Sequence, residues 1–98
     1  MQIEYKNNKI KKICTDVSAA KMLYGMRMAA CIQQRIDEIS AADSVETLVL
    51  YKIGRCHYLS QNRKGQYAMD LVHPYRLIFI VAEESIEIAK IIEIVDYH

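Results

Sequence analysis

Residues 66–81 read Gln66-Tyr67-Ala68-Met69-Asp70-Leu71-Val72-His73-Pro74-Tyr75-Arg76-Leu77-Ile78-Phe79-Ile80-Val81, and their alternation decides the fold. Tyr67, Met69 and Leu71 alternate with Ala68, Asp70 and Val72. Beyond His73-Pro74, Tyr75, Leu77, Phe79 and Val81 alternate with Arg76, Ile78 and Ile80. A period of two marks two strands, and His73-Pro74 sits where a hairpin turn belongs. Residues 86–94 are rich in β-branched side chains and predict a further strand, with Glu83-Glu84-Ser85 at the intervening turn. Strands linked this tightly run antiparallel. Such a sheet lays one face on another layer and leaves its other face free.

Upstream of Gly54 the period is 3.6. Val17, Ala20, Tyr24, Met28, Cys31, Ile32, Ile36 and Ile39 predict one long helix, capped by Thr15 or Asp16, with Gly25 as a tolerated flaw. Ser40-Ala41-Ala42 interrupts the pattern. Asp43 and Glu46 then resemble a capping box opening a second helix through Val45, Leu48, Val49 and Ile53, which Gly54 closes. A link this short predicts an antiparallel helix hairpin. Gln2-Ile3-Glu4-Tyr5-Lys6 alternates as a short edge strand, followed by the basic Lys9-Ile10-Lys11-Lys12-Ile13. The expected architecture is α+β: an N-terminal strand and a helix hairpin packed on a three- to four-stranded antiparallel sheet.

With 98 residues, the chain is one domain, 1–98. At that size folding buries ~65% of the unfolded surface, enough for one core without disulfides or a metal. No apolar run reaches the ~18 residues of a membrane span. The beginning of the chain does not read as a signal peptide, so the expected compartment is the cytoplasm. The three cysteines, Cys14, Cys31 and Cys56, show no CxxC spacing and read as reduced thiols; neither a metal nor a cofactor is expected.

Thirteen basic and 12 acidic residues give a net charge of +1, which argues against a nucleic-acid partner until the chain is divided. Residues 52–76 carry Lys52, Arg55, Arg63, Lys64 and Arg76 against Asp70 alone, a net of +4. Residues 83–98 carry a net of −4, and residues 1–12 a net of +3. Charge clusters are ordinarily solvated faces. The middle cluster, however, also holds His57, His73, Tyr58, Tyr67 and Tyr75, a mixture suited to gripping phosphates and stacking bases. Alternation sets Arg76 on the open side of the sheet if Leu77 and Phe79 face the helices. There it either meets a ligand or pairs with an acid on a neighbouring strand.

Four segments occur in a distinctive order: Cys56-His57-Tyr58-Leu59, Asn62-Arg63-Lys64-Gly65-Gln66-Tyr67, Tyr75-Arg76-Leu77-Ile78-Phe79 and Val95-Asp96-Tyr97-His98. Together they resemble the HigB branch of the RelE/ParE toxins of bacterial toxin–antitoxin modules. That branch carries His-Pro-Leu, Arg-Lys-Gly-x-Tyr, Trp-Arg-Ile-x-Phe and a terminal Asp-Tyr-His. The order, spacing and length agree, most closely from Arg55 onward. Here Tyr58 replaces the usual proline, Tyr75 replaces the tryptophan, and His73 has no counterpart.

The resemblance implies a metal-independent, cofactor-free endoribonuclease that cuts messenger RNA in the A site of the small ribosomal subunit. Its 2′-OH attack leaves a 2′,3′-cyclic phosphate and a free 5′-OH. Such a reaction needs a base, cations around the phosphorane and an acid for the leaving oxygen. By motif, Arg76 would stabilise the transition state, with Lys64 and Arg63 on phosphates. His98 or His57 would be the base or acid. Tyr97 would stack or share the proton transfer, and Asp96 would orient the terminus; Arg55 and Tyr67 complete the substrate-binding set. The implied protein partner is a HigA-like antitoxin carrying a DNA-binding domain. Two rival readings remain: a ParE-like inhibitor of DNA gyrase, and an inactive toxin that only binds its antitoxin.

Overall fold

The computed structural model describes residues 1–83 and 86–97, with Glu83 described by its backbone alone. The expected turn residues Glu84 and Ser85, and the expected acid or base His98, lie outside the described residues.

Among the described residues, four α-helices pack on one five-stranded sheet, the α+β arrangement expected from the alternation. The strands are β1 (Gln2–Tyr5), β2 (His57–Tyr58), β3 (Gln66–Asp70), β4 (Tyr75–Glu83) and β5 (Glu87–Asp96), in spatial order β1-β5-β4-β3-β2. β2 through β5 pair antiparallel, and β1 pairs parallel to β5. The sheet is therefore mixed, because β1 joins as a fifth, parallel strand the antiparallel sheet of three or four that was expected. His57 and Tyr58 add an edge by pairing with Ala68 and Tyr67. The β4–β5 register shifts between Ile78 and Phe79, which face Glu93 and Ile91, so Ile92 is the extra residue of a bulge.

Residues 8–15 form a helix, α1 (Asn8–Thr15), in the basic stretch that had been assigned no element. Ile10, Ile13 and Cys14 recur at helical spacing and enter the core, and the Asn7 side chain accepts from the Ile10 N–H at 2.9 Å. The single long helix is two: α2 (Val17–Tyr24) and α3 (Met26–Ala41). Asp16 caps α2, accepting from the Ser18 and Ala19 N–H groups. Gly25 separates the two helices with φ +89° and ψ 172°, outside the helical region. Nothing lies within 4 Å of where its Cβ would be, so this site needs glycine's backbone freedom, not its small size.

α4 (Val45–Leu50) is capped by Ser44 rather than Asp43, and Glu87 on β5 accepts from the Val45 N–H at 2.8 Å. It stops short of Ile53 because Lys52, Gly54 and Arg55 all have positive φ, so the second arm of the expected hairpin is six residues long.

Ile32, Ile39 and Leu48 from the helices meet Met69, Leu77, Phe79 and Ile91 from the sheet in one fully buried cluster. Each such side chain contributes about 1.5–3 kcal/mol through removal from water. The opposite face is not bare, as the sequence had suggested. Ala68 and Ile78 are fully buried there, and Arg63 bridges β3 and β5 across β4. No helix among the described residues is long and apolar enough to cross a membrane.

Candidate functional site

Residues paired directly across neighbouring strands share a face. The row Asp70–Arg76–Val95 and the row His57–Ala68–Ile78–Glu93 therefore both lie on the face away from the helices. These rows, with the loops that lay Arg55, Arg63 and Tyr97 over them, form the candidate site.

Asp70 lies at its centre. Its carboxylate accepts from Arg55 Nε at 2.7 Å and Arg55 Nη2 at 3.3 Å, and lies 3.6 Å from Arg76 Nε. The hydrogen bond from Arg55 holds the Asp70 carboxyl below its ordinary range against the opposing effect of burial. Of the two environments that alternation left open for Arg76, the structure shows the acid on the neighbouring strand, and an aromatic ring lies beside it. Its guanidinium lies 4.4 Å from the centre of the Tyr97 ring. Tyr97 is held there by its N–H, which donates to the Pro74 carbonyl at 2.9 Å and extends the β4–β5 pairing by one residue.

His57 Nδ1 lies 2.8 Å from the Arg55 carbonyl oxygen. A carbonyl can only accept, so the hydrogen sits on Nδ1. With Nδ1 so engaged, Nε2 is the ring nitrogen left to meet a substrate. Arg55 holds this arrangement at φ +54°, a region that residues with a Cβ seldom occupy.

Arg63 Nη1 donates to Gln66 Oε1 and Glu93 Oε1, both at 2.9 Å, so its charge is partly answered by the acidic strand. Lys64 is exposed beside Gly65 and makes no ion pair among the described residues. Tyr67 is not brought to the arginines. It faces the helices, stacked on Phe79 at 5.5 Å and edge-on to Tyr58 at 5.2 Å. Asp96 is exposed and pairs in register with Tyr75, so alternation places it on the opposite side from Tyr97 and Arg76.

Two residues of the site did not stand out in the sequence. Asp70 registered only as the lone acid of a basic segment, although ending β3 opposite the first arginine of β4 was a usable signal. Arg35 on α3 reaches the site from the helix layer, donating from Nε to the Asp70 carbonyl at 2.6 Å, and no sequence spacing announced it.

No protein-family model matches the chain, and no curated protein is similar to it in sequence. Among solved structures, the YoeB/ParE toxin from Agrobacterium tumefaciens shares the fold, with a TM-score of 0.67 over 100% of both chains at 12% identity.

Proposed function

We propose that this chain is the toxin of a toxin–antitoxin pair and acts as a metal-independent endoribonuclease on messenger RNA in the ribosomal A site. The observation carrying this reading is the His57 ring, held by Nδ1 at the Arg55 carbonyl on the same face as Arg76 and Arg55. A fold shared with a YoeB/ParE toxin supports it, as does the ordered set of HigB-like segments.

In the proposed reaction, His57 Nε2 takes the proton of the ribose 2′-OH, and the 2′ oxygen attacks the adjacent phosphorus. Arg76 lies against the phosphorane charge, and Lys64 and Arg63 grip flanking phosphates. The 5′ oxygen leaves with a proton from Tyr97 or His98. One P–O bond forms and one breaks, giving a 2′,3′-cyclic phosphate and a 5′-OH. Preorganised cations at developing charge ordinarily supply the largest single contribution.

An antitoxin partner is supported by the exposed apolar side chains of Val17, Met22, Leu23 and Met26 on α2 and the start of α3. Where exposed apolar side chains gather on a surface, they mark protein contacts. The proposed antitoxin is HigA-like, and the proposed compartment is the cytoplasm, where ribosomes are.

Gyrase inhibition of the ParE kind is the second reading. It is favoured by the pairing of Arg55 with Asp70 and of Arg63 with Glu93, which leaves fewer cations for phosphate. Mapping message ends after induction in growing cells separates the two. New ends within codons support the nuclease, whereas intact messages with gyrase–DNA adducts support the alternative.

A further inference from the structure

We propose that Asp70 is a positioning residue for the cleavage step, holding Arg55 and Arg76 at the spacing in which they receive one phosphate. This deepens the nuclease reading above and rests on it.

Asp70 is bound from both sides of the sheet. Its backbone carbonyl is held from the helix layer by Arg35, which also pairs with Glu38 at 2.8 Å. Arg35 lies against the turn that carries Arg55: a Cβ on Gly54 would come within 2.7 Å of Arg35 Nε and 3.0 Å of Met69 Cε. The Asp70 side chain reaches the opposite face and takes both Nε and Nη2 of Arg55, beside Arg76. Among the described residues, Arg55 has no other side-chain partner. Its φ of +54° therefore persists because the surroundings over-determine it, through Asp70 on one side and the bond from His57 to its carbonyl on the other. One carboxylate thus sets the spacing of two arginines and steadies the carbonyl that fixes the His57 tautomer.

A carboxylate in this place also repels phosphate. Removing its charge while keeping its shape therefore has opposite effects on binding and turnover, a signature that simple loss of structure does not produce. The test compares wild type, Asp70→Asn and Asp70→Glu on messenger RNA in programmed ribosomes, with the Arg55 Nε–H followed by ¹⁵N NMR. Asp70→Asn should lower kcat about tenfold, the scale of one lost charge-assisted hydrogen bond. Its KM should fall roughly threefold, as expected when a charge repelling the substrate is removed. Asp70→Glu should restore most of kcat, and the protected Nε–H signal should be lost in Asn but kept in Glu. Unchanged or higher kcat in Asp70→Asn overturns the proposal. So does a lower kcat with a higher KM that glutamate does not rescue. A wild type that cuts nothing sinks the nuclease reading and this cleavage role together. A wild type that cuts beside an unaffected Asp70→Asn sinks this inference alone.

Discussion

The Arg76 guanidinium lies 4.4 Å from the centre of the Tyr97 ring, and the Tyr97 N–H is tied to Pro74, two residues before Arg76. The last described residue of the chain is thereby locked to the start of β4. Arg76 can point into the site because it is held between this ring and Asp70 rather than left to sample rotamers. A cation over a ring contributes about 0.5–2 kcal/mol, depending on how dry the contact is.

That contact separates two roles of Tyr97. Tyr97→Phe keeps the ring, so with His98 as the acid it should retain most of the cleavage rate. Tyr97→Ala removes the ring and should lose roughly tenfold or more, by the same cation–ring magnitude. Rates on programmed ribosomes check this. A Phe variant as poor as Ala would make the phenol, not the ring, the working part.

Arg76→Ala removes the cation at the proposed phosphorane and should lower kcat by ~100-fold or more, the scale of losing one preorganised donor. Growth arrest on induction should disappear while circular dichroism stays native. Full toxicity in this variant would contradict the role given to Arg76.

Phe79 is fully buried and carries Tyr67 stacked on it, so it joins the strand pair to the helix layer. Phe79→Ala should cost about 3–5 kcal/mol from lost burial and the remaining cavity. Urea unfolding measures this directly, and a cost under about 1 kcal/mol would mean that the core closes up around the gap.

Burial pushes the Cys14 and Cys56 thiols up to about 12 from the ordinary 9, whereas Cys31 is only half-buried. In the native protein Cys31 alone should react quickly with a disulfide reagent at pH 8, and all three thiols should react in denaturant. A raised folded pKa gives stability that is fully present below the unfolded value of 9 and is lost as pH climbs towards 12. Unfolding midpoints should therefore fall on the alkaline side, and less so in Cys14→Ser/Cys56→Ser. Equal alkaline slopes in the two proteins would contradict this.

Much of the architecture was legible because its signals are local and long. Residues 66–81 repeat their alternation across both strands of a hairpin, and the register that follows from it put Arg76 on the face away from Leu77 and Phe79. α1 was hidden because Lys9, Lys11 and Lys12 surround Ile10, Ile13 and Cys14, so charge drew more notice than spacing. β2 is only two residues long and has no period to read. The site divides along the same line. His57, Arg76 and Tyr97 came from motifs, and strand pairing or the chain's end brings them to one face. The bond from Arg55 to Asp70 depends on a left-handed turn and joins residues 15 apart, which neither propensity nor spacing displays. Tyr67 was placed with the arginines by proximity in sequence, and a one-residue difference in strand phase sends it to the helix side.

The chemistry proposed for the open face leaves its record in the ends of the cut message. Purified protein is incubated with programmed ribosomes, and the fragments are analysed for their terminal groups. The upstream fragment should carry a 2′,3′-cyclic phosphate and the downstream one a 5′-OH, with both lost in His57→Gln. Uncut messages in the wild type, or fragments ending in a 3′-OH and a 5′-phosphate, would contradict this chemistry.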